Sequence, residues 1–181
     1  MKKIAHTIDT NVLIIASSAS NASPFPSDNT PIKEPELRQR VLNWLIEFET
    51  NHDSVIILDI NWNICGEYQN KMNNQDYGLS IVMNKIDQDK VIWVNIKSDN
   101  DGHAELPEDL SNLIADRADR KFVAAALAGQ DSGLSCTIIN ASDTDWLDCT
   151  HALGERGILV EHLLEDWLRS IWKKKQTKTL A

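Results

Sequence analysis

The chain has 181 residues, 42% hydrophobic and 25% charged, which suffices to bury a core without disulfides and excludes a disordered, collagenous or coiled-coil protein. Lys and Arg total 18 against 27 Asp and Glu, and the net charge of −9 excludes a surface that grips nucleic acid by bulk electrostatics. An enzyme whose metal ions bring the positive charge is not excluded.

The start of the chain carries two lysines, an apolar stretch and small residues, as a secretion signal does. His6, Asp9 and Asn11 interrupt it, and residues 12–16 are too short for the ~7–15-residue apolar core of such a signal. No stretch approaches the ~20 apolar residues of a membrane helix. Cys65, Cys136 and Cys149 are odd in number and far apart, which excludes a disulfide scaffold and a zinc ribbon. The chain reads as cytoplasmic and as a single domain over 1–181.

Ile4–Ile8, extending towards Ile15, is Ile-rich and predicts a strand. Residues 17–35 hold Ser, Asn, Pro24, Pro26 and Pro31 and predict a long loop. Following Asp9, that loop is expected to form a mobile flap at the mouth of an acidic cleft. Leu37, Val41, Trp44, Leu45 and Phe48 form one apolar stripe of a helix over 36–49. A short strand at 55–58 precedes a helix at 61–72 carrying Glu67, and a further helix at 79–86. Residues 91–96 alternate as a strand, and 98–107 form a polar loop around Asn100-Asp101-Gly102. A helical stretch over 109–128, in one piece or two, ends at Gly129. A strand at 136–140, a helix at 144–153 and a last strand at 158–160 follow. Leu163, Leu164, Trp167, Leu168 and Ile171 mark a terminal helix within an extension at about 161–181. It ends in Lys173, Lys174, Lys175 and Lys178, which suit a helix C-terminus and a basic tail.

Strands alternating with helices predict an α/β fold, a mainly parallel sheet between helical layers. Ligands in such sheets gather at the carboxyl ends of the strands. Asp9 stands there, with Thr10 and Asn11 beside it as polar support. Asp143, with Ser142 before it and Asp145 after it, stands in the equivalent place behind 136–140. Asp116 and Asp119, three apart, are expected on one helix face ahead of the apolar Phe122, Val123 and Ala126. Glu67 lies between Ile64 and Tyr68. Singly, each acid could be a cap or solvated surface. Together they form a cluster whose mutual repulsion is normally relieved by a hard divalent cation, Mg²⁺ or Mn²⁺ for all-oxygen ligands.

Four segments resemble the PIN-domain family: Ile8-Asp9-Thr10-Asn11-Val12-Leu13, Gly66-Glu67-Tyr68, Asp119-Arg120-Lys121-Phe122-Val123-Ala124-Ala125-Ala126, and Asn140-Ala141-Ser142-Asp143-Thr144-Asp145-Trp146. The resemblance runs from residue 4 to about 163. It implies a three-layer PIN-like fold with a central, mainly parallel sheet, and metal-dependent ribonuclease chemistry, often as the toxin of a toxin–antitoxin pair. Asp9, Glu67, Asp119 and Asp143 would then be the acidic quartet, with Asp9, Asp119 and Asp143 as metal ligands. Asp116, Asp145, Thr10, Asn11 and Ser142 would be auxiliary. The implied partners are an RNA substrate and a basic antitoxin, with a homodimer left open and no membrane. The length, the 17–35 segment and the tail helix depart from the compact toxins of the family. Two rivals remain: an inactive binding module with the same fold, and an aspartyl-nucleophile phosphatase using Asp9. In the second, Asn11 stands where the general acid is needed.

Overall fold

The computed structural model describes residues 4–179. The first residues of the signal-like start and positions 180–181 of the tail lie outside them. The expected α/β architecture is present. Five strands form one sheet: β1 (Ile4–Ile8), β2 (Ser54–Asp59), β3 (Val91–Val94), β4 (Ser135–Asn140) and β5 (Leu159–His162). Every pairing is parallel and the order is β3-β2-β1-β4-β5. β2 is buried along its whole length, so it reads as a continuous apolar run rather than an alternating one.

Helices α1 (Thr10–Ala19), α2 (Pro35–Thr50), α3 (Asn63–Lys71) and α4 (Tyr77–Asp87) carry the chain from β1 to β2 to β3. Helices α5 (Glu108–Leu113), α6 (Arg120–Asp131) and α7 (Asp145–Glu155) serve β4 and β5, and α8 (Glu165–Thr179) follows. Strand alternation separates the layers. His6 meets Trp44 and Phe48 of α2 edge-on. Gly129 of α6 lies close against Ile57 and Cys136, which share the opposite face with Ala5. A Cβ at Gly129 would approach Cys136 Sγ to 2.8 Å, so α6 depends on a glycine to sit this near the sheet.

The order of strands fixes the site. From β1 the chain moves outward to β2 and β3, then returns to the other side of β1 to form β4. The sheet therefore changes direction between β1 and β4, and a crevice opens at their carboxyl ends.

Three expectations need correction. Residues 10–19 are helical rather than a continuation of the strand. Asp9 caps that helix by accepting from Asn11 N, and its apolar residues pack on α2 and α4, so tertiary packing overrides the β-preference of isoleucine. The stretch 109–128 takes its two-piece form, and the non-helical 114–119 between the helices removes the shared face expected for Asp116 and Asp119. Arg120 donates to the carbonyls of Ser111 (2.7 Å) and Ile114 (3.3 Å), closing the end of α5. Asp116 therefore lies in the connecting turn, not on a helix face with Asp119. The connection 20–34, shortened at its start because residues 17–19 belong to α1, and holding a single 3-10 turn at Ser27–Asn29, is anchored. Ile32 is fully buried, and Ser23 donates to Asp76 at 3.0 Å. No residue of 20–34 lines the two cavities beside the acids, so the expected flap does not stand over them.

Candidate metal centre

Asp9 emerges at the end of β1, where the chain turns into α1. Its Oδ1 accepts from Asn11 N (3.0 Å) and its Oδ2 from the indole Nε1–H of Trp146 (2.5 Å). Asp119 stands at the entrance of α6, and its side chain caps no backbone amide. Asp143 lies in the turn between β4 and α7 and accepts from Asp145 N at 2.9 Å. One carboxylate oxygen from each of Asp9, Asp119 and Asp143 falls within 4.8 Å of the others. Three helix N-termini, of α1, α6 and α7, thus deliver the acids, and their positive ends offset part of the repulsion.

The offset is incomplete. Burial raises the pKa of Asp9 to about 7, against the two hydrogen bonds that favour its charged form, with Asp143 and Glu67 adding to the rise. Asp119 is pushed up to about 8, first by burial and then by the charges of Asp9 and Asp143. Asp143 is raised too, mainly by burial, although Lys175 of α8 draws it down. Oxygen-only donors at this spacing, holding protons that a cation would displace, suit a hard divalent ion such as Mg²⁺ or Mn²⁺.

The remaining residues divide clearly. Asn11 spans the crevice. Its Nδ2 donates to Asn140 Oδ1 (3.1 Å), and its Oδ1 accepts from Ala141 N (3.0 Å) and Ser142 N (3.2 Å). It therefore fixes the Asp143 turn relative to β1. Asn140 adds two bonds to Asp143 itself, one to its carbonyl (2.9 Å) and one from its amide (3.1 Å). Ser142 takes part through its backbone. Glu67 is not one of the converging three. Thr10 Oγ1 donates to it and Lys121 pairs with it, so its charge is already balanced. It still bears on Asp9 and Asp119 electrostatically. Asp116 and Asp145 are exposed at the rim.

Sequence reasoning assigned no role to Trp146, Lys121, Asn140 or Lys175. Trp146 falls three residues after Asp143, on the buried face of α7, and Lys121 two residues after Asp119. That proximity was the available signal. Lys175 lies in the last turns of α8, as lysines at a helix C-terminus suit, but it also donates to Thr144 Oγ1 at 2.5 Å, beside Asp143, which no spacing in the sequence indicates.

Two cavities flank Asp119. One of about 270 Å³ is lined by Leu113, Ile114, Asp145 and Trp146. The other, about 720 Å³, runs past Glu67, Lys121 and Lys71 to Trp62. Both reach Asp116 and Asp119. Comparison with protein-family models, with curated proteins and with solved structures found no match to this chain. Among the described residues, no helix is long and apolar enough to cross a membrane.

Proposed function

We propose that this chain is a Mg²⁺- or Mn²⁺-dependent nuclease of the PIN type that hydrolyses phosphodiester bonds in RNA. The observation that carries the reading is the meeting of Asp9, Asp119 and Asp143 within 4.8 Å at the point where the sheet changes direction. The resemblance of the four segments supports it from the sequence side. Asp9, Asp119 and Asp143 hold the cation, and Asn11 and Asn140 keep the Asp143 turn in register with Asp9. When bound, a divalent cation offsets phosphate charge and lowers the pKa of water. Glu67, held through both oxygens by Thr10 and Lys121, lines the cavity that reaches Asp119, from which side it would help to orient an attacking water.

An aspartyl-nucleophile phosphatase fits less well. Both oxygens of Asp9 already accept hydrogen bonds, and Asn11 is occupied in bracing the turn. The three cysteines are free and buried, which suits a reducing compartment, and we place the activity in the cytoplasm. A net charge of −9 favours a basic antitoxin segment as the regulator.

Labelled single-stranded RNAs incubated with wild type and Asp119→Asn, with Mg²⁺, Mn²⁺ or EDTA, test the reading. Cleavage by the wild type with metal, lost in EDTA and in Asp119→Asn, is expected. Cleavage that persists in both would overturn it.

A further inference from the structure

We propose that the cavity from Asp119 to Trp62 is a single-strand binding groove in which Trp62 stacks on an unpaired base a few nucleotides from the scissile phosphate. The inference rests on the nuclease reading and adds to it a base-stacking subsite.

Trp62 is a large aromatic that the fold holds out of the core, 47% exposed. It occupies the left-handed region, φ 63° and ψ 21°, uncommon for a bulky residue. Backbone bonds fix it there. Its N–H donates to Asp59 O (3.1 Å), and its carbonyl accepts from Gly66 N (2.7 Å). The indole is thus presented by a rigid turn rather than by a loose loop. Trp93, on the edge strand β3, extends the platform with its ring centre 5.7 Å away and 41% exposure.

From this platform the groove of about 720 Å³ leads directly to Asp119. Gly66 lies along it with open space where a Cβ would stand. Asn70 supplies an amide to its walls, Asn63 lines it with its Nδ2 bonded to Asp59 (3.0 Å), and Lys71 adds an ammonium with no ion-pair or hydrogen-bond partner among the described residues. Such a surface suits nucleic acid that an acidic chain cannot attract by charge alone. Every base has a π-face, so stacking contributes affinity without sequence demands. Splayed single-stranded bases can also reach amide groups that a duplex would deny them.

The test measures binding apart from cleavage. Fluorescein-labelled single-stranded oligouridine is titrated by anisotropy into the full chain, with Ca²⁺ in place of Mg²⁺. Trp62→Ala and Lys71→Glu are each expected to weaken binding about tenfold, and Trp62→Phe to retain most of it. Gly66→Glu puts a carboxylate into open groove space. It is expected to weaken binding while leaving the melting curve in place, which keeps the test valid should Trp62→Ala fold poorly. Equal affinities for wild type, Trp62→Ala and Gly66→Glu would overturn the groove, even with RNA cleavage intact. Loss of self-association in Trp62→Ala with unchanged RNA affinity would overturn it in favour of a protein contact. Binding that depends on Trp62 in a chain that cuts no RNA would support the groove and count against the nuclease.

Discussion

β1 and β2 lie side by side, run in the same direction, and each delivers an aspartate at its carboxyl end. At β2 the acid is Asp59, fully buried, with its carboxylate accepting from Asn63 N (2.9 Å), Asn63 Nδ2 (3.0 Å) and Ile64 N (2.8 Å). At β1 it is Asp9, also buried, with two donors and two further aspartates within reach. Position in the sheet is therefore not what leaves an acid short of donors. Asp59 is consumed by starting α3, and donors satisfy its charge. Asp9 is left short of donors among other acids, a state that protons or a cation must relieve.

The comparison breaks most visibly at Asp59. Asp59→Ala removes the acceptor for three donors, one buried and two part-buried. It is expected to cost about 2–4 kcal/mol, roughly 5–15 °C in melting temperature, with or without divalent metal. If its cost instead shrank on adding Mn²⁺, Asp59 would belong with Asp9.

A smaller effect follows from pH. Asp9 near 7 and Asp119 near 8 both lie above the ~4 of an unfolded aspartate. In the window from pH 6.5 to 8 the folded chain holds protons that the unfolded chain has released. Metal-free stability must then fall as pH rises, by on the order of 1–3 kcal/mol. His6 and His162, lowered by burial, act below this window in the opposite sense. Thermal melts in EDTA are expected to show the decline in wild type and a flatter profile in Asp119→Asn. A stability that rose with pH would mean that the acids are already charge-compensated.

Trp146 sharpens the contrast by subtraction. Trp146→Phe removes one of the two donors to Asp9 and leaves an aromatic in the core. Lost packing is expected to cost about 1–2 kcal/mol irrespective of metal. A separate loss of roughly 1 kcal/mol should appear only in the Mn²⁺-induced rise of the melting temperature. An unchanged Mn²⁺ increment would show that the indole holds the fold and not the site.

Much of this was legible in the chain. Asp9, Asp119 and Asp143 each adjoin a short apolar run that forms a strand or a buried helix face, so local pattern was enough to find them. Asp59 adjoins such a run just as closely, yet its donors arise only once Trp62 takes a left-handed turn. A break within 109–128 was open from the sequence, but its place at 114–119 was not, because Ile114, Ala115 and Ala118 suit a helix and it is Arg120 that closes α5 from outside it. The pairing of Glu67 with Lys121 joins α3 to α6 across more than fifty positions, beyond the reach of spacing. Elements whose signal is periodic were readable; contacts set by the fold were not.

The central claim is that Asp9, Asp119 and Asp143 form a divalent-metal site, and calorimetric titration with Mn²⁺ at pH 7.5 tests it most directly. Wild type is expected to bind one or two ions with release of protons, seen as a heat that depends on the buffer's own ionisation enthalpy. Asp119→Asn is expected to lose that binding and to melt higher than wild type in EDTA. A wild type that takes up no Mn²⁺ at millimolar concentration, or an Asp119→Asn chain that binds as well, would contradict the account.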